Sequence, residues 1–393
     1  MKKLRKGVIF GSRSVEHEVS IVTAQQVMQA IDRSKYEVIP IYITKEGHWL
    51  TGNRLFDIKS FEDTSDMIPN LEKIYIAPDP AVKSLVVTSR KLFTKSASKE
   101  IDIAFPLVHG TYGEDGTLQG LLELANIPYI GAGVLGSAVG MDKIAMKAIF
   151  KDNDLPVVNY IWFLRNEWID KQEKVIAKIE FKLKYPLFVK PANLGSSIGI
   201  SKAADKEGLI RAVEIARHYD RRLLVEESQE GSIEINCSVL GDEDPIPSVC
   251  EQPISWEEFL NYDDKYMKGR KSAGLKGAAR RIPAPISQEL ARRIQEFAID
   301  AFKSIDCRGI ARVDFLVNEA NNQIFVNEIN TIPGSIAFYL WEATGVRFTE
   351  LIDRLVNLAI AANKEKNDIT YSYDSKLLKS IVRSSAKLGI NNK

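Results

Sequence analysis

Residues 309–334 read GIARVDFLVNEANNQIFVNEINTIPG, and the fold expected for this chain follows from them. The β-branched and aromatic residues at 310–317 and 323–329 predict two strands, and the Asn and Glu residues between them are typical of a turn. Side chains alternate between the two faces of a strand, so each strand has an apolar and a polar face. The apolar side chains expected to lie buried are Val313, Phe315, Val317, Phe325 and Ile329.

The polar face of this hairpin predicts a cation site. If the hairpin is symmetric about Asn321, Asp314 lies opposite Glu328 and Arg312 lies opposite Asn330. Two carboxylates that face each other across a strand pair repel, so a sheet that keeps them there is expected to hold a cation between them. Two carboxylates and an amide favour Mg²⁺ or Mn²⁺ over zinc, and Arg312 indicates a phosphate or an oxyanion. The alternative is a surface cluster of ion pairs.

The composition of the whole chain is ordinary for a soluble globular protein. Its 393 residues suffice for two or three domains, and 53 Lys+Arg balance 52 Asp+Glu, which gives no case for nucleic acid or a membrane as partner. The apolar run 8–10 is too short for a secretion signal, so a cytoplasmic location is expected. Three cysteines without CxxC spacing predict buried thiols: Cys237, Cys250 and Cys307.

The first part of the chain predicts a parallel α/β layer. Strands at 8–10 and 38–43 flank a helix whose apolar residues recur at helical spacing, and ligands of such sheets lie at the carboxyl ends of the strands. Glu16 lies at such an end and is either an acidic first helical turn or a ligand residue. His109 follows the apolar strand 101–107 in a glycine-rich turn and is either a structural histidine or a site residue.

A second group of residues indicates a nucleotide. Lys190 ends a predicted strand, and the small and hydroxyl residues of 192–199, ANLGSSIG, permit close approach to phosphate oxygens, although flexible hairpin tips have the same composition. Glu226 or Glu227 could accept a hydrogen bond from the amine of a planar base, and Glu234 could accept from ribose hydroxyls. By themselves these acids are also typical of solvated strand edges.

Residues 262–281, YDDKYMKGRKSAGLKGAARR, are polar and basic and are expected to form a long loop. Its seven Lys/Arg residues are not interleaved with aromatic residues, which favours a lid over phosphates rather than a nucleic-acid surface. Residues 363–393 are polar and mildly basic, and their sequence indicates no function.

Together these motifs resemble those of the ATP-grasp superfamily, specifically the D-alanine–D-alanine ligases. The resemblance runs from about residue 5 to about residue 361 and rests on SVEHEVS (14–20), HGTYGEDGTLQG (109–120), MDK (141–143), FVKPANLGSSIG (188–199), YDDKY (262–266) and the hairpin with its following Pro-Gly. It implies an α/β and α+β protein in which an N-terminal parallel α/β domain is followed by a two-lobed ATP-grasp fold. The expected divisions are a substrate domain (1–131), a central lobe (132–226), a C-terminal lobe with the lid loop 262–281 and the metal hairpin (227–362), and a polar tail (363–393).

The resemblance also implies an activity. ATP phosphorylates the carboxylate of one D-alanine, and the amine of a second D-alanine displaces the phosphate to give a dipeptide for peptidoglycan synthesis. The implied cofactors are ATP and two Mg²⁺ or Mn²⁺ ions, with D-alanine as the partner and a homodimer as the assembly. Glu16 would hold the ammonium group of the first D-alanine, and Ser196 and Tyr266 would tie the lid over the site.

The implied site residues fall into four groups. They are Glu16, Ser196, Tyr266, Arg312 and Gly334 for catalysis; His109, Lys265, Ser335, Tyr339 and Leu340 for substrate; Lys143, Lys190, Ser197, Glu226, Glu227, Gln229 and Glu234 for ATP; and Asp314, Glu328 and Asn330 for metal. The spacing from Glu226 to Glu234 is one residue longer than the family pattern, so Glu227 is an alternative to Glu226 as the adenine contact.

The sequence after Pro-Gly departs from the family pattern. The family has a Thr and then a Ser that receives the second substrate's carboxylate, whereas residues 334–340 read GSIAFYL and place Tyr339 at the serine position. Either Ser335 or the Tyr339 hydroxyl could take that role, with Lys265 contributing charge. Tyr266 resembles the dipeptide-forming members rather than the D-alanine–D-lactate ligases. The alternatives are the same chemistry with another second substrate, or a nucleotide-binding protein without catalysis.

Overall fold

The computed structural model describes residues 3–88, 98–195, 198–254, 280–373 and 375–387. The predicted residues Ser196, Ser197, Lys265 and Tyr266 lie outside the described residues, as does loop 262–281 except for its last two residues. Within the described ranges the strands form three sheets, and the predicted site residues gather where these sheets meet.

The N-terminal sheet confirms the predicted parallel layer and extends it. Its strand order is β6-β5-β4-β3-β2-β1-β7, with parallel pairing of β1 to β2 and to β7 and antiparallel pairing elsewhere. Its helix α1 buries the predicted stripe, since Ala24, Val27 and Met28 on the helix and Ile31 directly after it are almost fully enclosed. The elements are β1 (Leu4–Gly11), α1 (His17–Ala30), β2 (Tyr36–Ile43), β3 (Trp49–Thr51), α2 (Thr64–Met67), β4 (Glu72–Ile76), β5 (Ser84–Val87), β6 (Ser98–Glu100), β7 (Ile103–Pro106) and α3 (Thr117–Leu124).

The central sheet is antiparallel, in the order β10-β9-β11-β8. Two helices, α6 and α7, pack their apolar side chains against this sheet. The preceding helices α4 and α5 instead share a hydrophobic core with the C-terminal sheet. The elements are α4 (Val134–Met141), α5 (Lys143–Asp152), β8 (Tyr160–Leu164), α6 (Arg165–Lys182), β9 (Leu187–Pro191), β10 (Ser201–Ala203), α7 (Lys206–Ala216) and β11 (Arg222–Glu227).

The C-terminal sheet is antiparallel, in the order β14-β13-β12-β15-β16. Arg280 and Arg281, assigned from sequence to the end of the long loop, pair with the edge of β13 and form a short strand. Helix α10 packs in the core of the N-terminal sheet. The elements are β12 (Ile233–Gly241), β13 (Ile246–Pro253), β14 (Arg280–Arg281), α8 (Gln288–Ser304), β15 (Gly309–Asn318), β16 (Gln323–Asn330), α9 (Phe338–Ala343), α10 (Phe348–Asn367) and α11 (Leu377–Lys387). Among the described helices, none is long and apolar enough to cross a bilayer.

The hairpin of β15 and β16 has the predicted register at its polar end. Asp314 pairs with Glu328 and Arg312 with Asn330. The register then shifts, because Phe315 pairs with Val326 and leaves one extra residue in β16. An extra residue moves every following side chain to the other face of the strand.

One predicted face is therefore wrong. Phe325, expected in the core with Val313, is only partly buried, whereas Ile324 and Val326 are in the core. The bulge lies between Val326 and Glu328, so the predicted alternation holds for Glu328 but fails for the residues before it. The extra residue, Asn327, lines the same cleft as Glu328.

Candidate active site

The predicted residues meet in a cleft between the three sheets, with a volume of about 760 Å³. Its wall includes residues from α1, the β7–α3 turn, β9, β11, β12 and both hairpin strands. The predicted residues that line it are Glu16, His109, Lys190, Glu226, Glu227, Gln229, Glu234, Arg312, Asp314, Glu328, Asn330 and Gly334. Lys143 lies in a small adjoining pocket with Glu16 and Glu328.

The hairpin places two carboxylates and a guanidinium side by side. Arg312 donates from Nε to Asp314 Oδ1 and from Nη2 to Asp314 Oδ2, both at 2.6 Å, and Asn330 Nδ2 donates to Oδ2 at 3.0 Å. Burial raises the pKa of Asp314, although Arg312 opposes this effect. Burial also opposes ionisation of Glu328, but Lys143 and Lys190 outweigh it and lower that pKa. The pKa values of Asp314 and Glu328 are therefore shifted in opposite directions although the two residues lie opposite each other.

The donor chemistry of this group fits a hard divalent cation. Two carboxylates in register and a neighbouring amide are the oxygen ligands that such ions prefer. In the described structure a cationic side chain contacts each of the two acids: Arg312 contacts Asp314, and Lys143 Nζ lies 3.6 Å from Glu328 Oε2. No cluster of three or more His, Cys, Asp or Glu suited to a metal occurs among the described residues, so the amide of Asn330 is needed to complete this set.

Glu226 is buried between two lysines at the base of the cleft. Its carboxylate contacts Lys190, and its Oε2 lies 3.1 Å from Lys147 Nζ. Burial opposes ionisation of Glu226, but the two lysines outweigh it and hold its pKa at about 2. Sequence reasoning missed Lys147, which is fully buried. Its position four residues after Lys143 on α5 was the available signal, because that spacing places both on one helix face.

The other two acids predicted to contact a nucleotide, Glu227 and Glu234, have distinct surroundings. Both oxygens of Glu227 accept hydrogen bonds, from Lys184 N at 2.9 Å and from Asn159 Nδ2 at 3.1 Å. Burial raises the pKa of Glu234 to about 7, and the nearby Asp314 adds to the shift. Glu234 is therefore able to donate as well as accept near neutral pH.

Glu16 is held where the central sheet's loop meets the N-terminal domain. A Cβ atom added to Gly110 or Gly195 would lie 2.6 or 2.7 Å from Glu16 Oε2, so side chains at those two positions would displace it. Gly110 also has φ +73°, a backbone conformation that favours glycine. The two glycines thus leave room for a carboxylate to reach the cleft from the start of α1.

Glu114 is a second carboxylate near Glu16, and sequence reasoning missed it. It accepts hydrogen bonds from Gly110 N at 2.7 Å and from Ile332 N at 3.1 Å, so it joins the N-terminal domain to the segment after the hairpin. Loss of solvation, with a further contribution from Glu16, raises its pKa to about 8. A cationic ligand beside these two carboxyl groups would lower the pKa of Glu114 again, because an opposite charge favours the ionised form.

His109 is neutral and hydrogen-bonded. Its Nε2 lies 2.9 Å from Thr23 Oγ1, and burial lowers its pKa to about 4. The same Thr23 hydroxyl accepts a hydrogen bond from Ser335 N at 3.2 Å. His109 therefore lines the cleft while supporting, through Thr23, the segment that follows Pro-Gly.

The segment after Pro-Gly is strained. Ser335, Ile336 and Ala337 have φ of 54°, 45° and 49°. Left-handed backbone costs non-glycine residues about 1–2 kcal/mol each, so the surrounding contacts must impose this conformation. Leu340 is fully buried, and its carbonyl accepts from Thr344 N and Oγ1. Ser335, Tyr339 and Leu340 do not line the main cleft.

The Tyr339 hydroxyl is held by a buried acid. It donates to Glu251 Oε1 at 3.0 Å, and the Arg280 guanidinium lies 3.8 Å from the centre of the Tyr339 ring. Arg280 Nη1 also donates to Glu251 Oε2 at 3.3 Å. Burial, reinforced by Glu251, raises the pKa of Tyr339 to about 12. Neither Glu251 nor Arg280 was predicted, because their approach to Tyr339 depends on tertiary structure.

The fold and the cleft define the class of protein. A parallel N-terminal layer followed by two lobes with antiparallel sheets, which enclose lysines and a carboxylate hairpin, is the ATP-grasp arrangement. Residues 5–132 match the family model described as D-ala D-ala ligase N-terminus, and residues 149–357 match that of the D-ala D-ala ligase C-terminus. The chain belongs to the D-alanine–D-alanine ligase family.

Individual relatives agree with this assignment. The D-alanine–D-alanine ligase of Natranaerobius thermophilus is 43% identical over 373 residues, which cover 93% of this chain and 98% of that protein. The solved D-alanine–D-alanine ligase of Coxiella burnetii matches with a TM-score of 0.77 and 31% identity over all of both chains. The VanG D-Ala:D-Ser ligase of Enterococcus faecalis also gives a TM-score of 0.77, at 32% identity over 91% of this chain and all of that one.

Proposed function

We propose that this chain joins two D-alanine molecules into D-alanyl-D-alanine for peptidoglycan synthesis, with ATP activating the first as an acyl phosphate. The proposal rests on one observation: the acidic residues Glu16 and Glu114 line the same cleft as the charged hairpin residues Arg312 and Asp314. A protein that only binds a nucleotide has no need of an acidic pocket beside the side chains that face its phosphates.

Asp314, Glu328 and Asn330 are the proposed ligands of Mg²⁺ or Mn²⁺, with two ions expected. When bound, such ions would neutralise phosphate oxygens of ATP and favour transfer of the terminal phosphoryl group. Support comes from the register that makes Asp314 and Glu328 face each other and from the Arg312 contact beside them. Arg312 can then turn from Asp314 to the negative charge that develops during transfer.

The lysines and acids of the two lobes suit the rest of ATP. Lys143 and Lys190 lie near Glu328 and Glu226 and can shift their charge to phosphate oxygens. Glu226, Glu227 and Gln229 border the cleft together, as contacts to a planar base require. Glu234, whose pKa is raised to about 7, suits ribose hydroxyls because it can donate or accept.

The chain's own residues provide for both chemical steps. Glu16 is proposed to bind the ammonium group of the first D-alanine, which leaves the substrate's carboxylate as the group that is phosphorylated. The amine of the second D-alanine then attacks the acyl carbon, and the tetrahedral intermediate expels phosphate. Arg312 and the Gly334 N–H are proposed to stabilise its oxyanion, and donors of this kind contribute roughly 3–4 kcal/mol in other enzymes.

A second candidate function differs in the acceptor. Tyr339, at the family's serine position, donates a hydrogen bond from its hydroxyl group to Glu251. The carboxylate of the second substrate would therefore contact different side chains from those of the family pattern. The structural likeness to a D-Ala:D-Ser ligase equals that to a D-alanine–D-alanine ligase. D-serine is therefore the alternative second substrate to be compared with D-alanine.

Product analysis separates these functions. Incubation with ATP, Mg²⁺ and D-alanine should release one phosphate for each D-alanyl-D-alanine formed. Equimolar D-serine and D-lactate added as competitors, with products resolved by mass spectrometry, then identify the acceptor. A predominance of D-alanyl-D-serine would establish the second candidate. ADP formation at background level with every acceptor, despite measurable ATP binding, would contradict both.

Glu328→Gln tests the metal assignment. We expect at least about a hundredfold loss of kcat, because one of the two facing carboxylates is removed. The free energy of unfolding should change little, because relief of the repulsion from Asp314 is offset by loss of the contact with Lys143. Steady-state kinetics over a range of Mg²⁺ concentrations and urea unfolding provide the measurements. Glu319→Gln, at an exposed turn position of the same hairpin, is the matched control. Normal turnover of Glu328→Gln at limiting Mg²⁺ would remove Glu328 from the ligand set.

The family resemblance further supports a cytoplasmic homodimer. Sedimentation equilibrium should give twice the chain mass of 44.1 kDa, and the monomer mass at all concentrations would contradict the dimer.

A further inference from the structure

Helix α11, Leu377–Lys387, lies beyond the matched family models, which end at residue 357. Its apolar side chains face solvent: Leu378 is 77% exposed, Val382 67%, Leu377 58% and Ile381 51%. An α-helix turns by about 100° per residue, so these four positions fall within one arc of about 140°. The helix therefore presents a continuous apolar stripe that the described residues leave open to solvent.

The basic positions of this segment fall on the opposite side of the helix from the apolar positions. Residues 379, 383 and 387 are Lys, Arg and Lys, and their spacing of four places them in a separate arc of about 80°. Residues 375–387 contain four Lys/Arg and no Asp or Glu, and removing these four charges from the net +1 of the chain leaves −3 on the rest. The balanced charge of the whole chain, which gave no case for a membrane partner, therefore conceals one locally basic helix.

The segment before α11 continues the same character. Ile369, Tyr371 and Tyr373 are exposed by 58%, 68% and 84%, although the Tyr371 hydroxyl donates to Lys366 O at 2.9 Å. Tyrosine, with an apolar ring and a polar hydroxyl, is typical of the boundary between lipid and water. Apolar and basic arcs on one short helix, preceded by tyrosines, are the features of a helix that lies in the plane of a membrane surface.

We propose that α11 binds the surface of an anionic lipid bilayer, with Leu377, Leu378, Ile381 and Val382 inserted among the acyl chains near the headgroups. The basic row would lie beside the lipid phosphates. With eleven residues the helix is too short to span a bilayer, so it rests parallel to the surface. None of these residues lines the cleft.

Vesicle co-sedimentation of the full-length protein tests this directly. At about 0.1 M salt we expect binding to vesicles of phosphatidylcholine with phosphatidylglycerol, and about tenfold less or none to pure phosphatidylcholine. Leu378→Glu with Val382→Glu should lower the partition coefficient by about tenfold or more, since both insertion and charge attraction are weakened. Lys379→Gln with Arg383→Gln should weaken binding to the anionic vesicles, whereas Lys379→Arg should retain it.

Phe181→Glu is the matched control, because Phe181 is an apolar side chain that is 87% exposed and belongs to α6 rather than to α11. Its binding should equal that of the unchanged protein, and ligase activity in solution should be unchanged in every variant. The proposal is overturned if neither vesicle binds the protein, if both bind it equally, or if Phe181→Glu weakens binding as much as the α11 variants do. A change in oligomeric mass on Leu378→Glu, without vesicle binding, would instead assign this face to a second copy of the chain.

Discussion

At the scale of single residues, the least expected feature is the buried group formed by Lys147, Glu226 and Lys190. Three ionisable side chains with a net charge of +1 lie at the base of a cleft that is proposed to receive ATP. Burying charges is costly unless each has a partner, and the removal of one partner leaves that cost uncompensated. Lys147 can therefore neutralise the charge of Glu226, which leaves the positive charge of Lys190 available to a phosphate group.

Lys147→Met should impair both stability and ATP binding. We expect the free energy of unfolding to fall by about 3 kcal/mol, as when other buried ion pairs lose one member. The KM for ATP should rise, because the remaining Glu226 neutralises Lys190. Urea unfolding and steady-state kinetics measure the two effects. Lys151→Met, one turn further along α5 and exposed, should change neither. Equal behaviour of the two variants would show that the buried group has no such role.

At the scale of secondary structure elements, side-chain alternation and strand register determine which features of the site could be predicted from the sequence. The pairing of Asp314 with Glu328 could be predicted because it needs only two strands and a turn. The bulge at Asn327 could not, since an extra residue in one strand is accommodated by the sheet around it. The Tyr339–Glu251 contact joins residues far apart in sequence and depends on how α9 packs beside β13.

The loop after β9 lies close to the start of α1, and a substitution in this loop tests the role of Glu16. In Gly195→Ala the new Cβ would lie 2.7 Å from Glu16 Oε2, the mobile end of a side chain, so the carboxylate rather than the backbone should move. We expect kcat/KM for D-alanine to fall by about tenfold to a hundredfold with little change in the unfolding free energy.

The control for this test is Gly120→Ala in α3, where an added Cβ meets no atom within 4 Å. That variant should keep normal kinetics and be at least as stable, because alanine favours a helix. An unchanged KM for D-alanine in Gly195→Ala would argue that Glu16 does not bind the substrate's ammonium group.

At the scale of the whole molecule, Lys6 marks the contact between the N-terminal sheet and the helix that follows the C-terminal lobe. It is fully buried in β1, its Nζ lies 3.8 Å from the centre of the Tyr36 ring, and Asp353 on α10 exerts an opposing electrostatic effect on it. Burial lowers the pKa of Lys6 from 10.5 to about 7, and Asp353 only partly opposes this. No residue of the proposed chemistry uses this lysine.

This lowered pKa predicts a pH dependence of stability. Between about pH 7 and pH 10.5 the unfolded chain binds a proton at Lys6 that the folded chain has lost, so the free energy of unfolding should rise with pH. Lys6→Met should stabilise the protein at pH 7 by roughly 1–4 kcal/mol, and this difference should shrink towards pH 10. Urea unfolding at several pH values provides the measurement. A Lys6→Met variant less stable than the unchanged protein at pH 7 would contradict this account.

The central claim is that the hairpin holds a divalent metal between two facing carboxylates. Crystals grown with ADP and Mn²⁺ test it most directly, because the anomalous signal locates the metal independently of the protein chain. We expect a peak between Asp314 and Glu328, with Asn330 turned so that its oxygen faces the metal. A peak elsewhere in the cleft, or Asp314 and Glu328 on opposite sides of their sheet, would contradict the account.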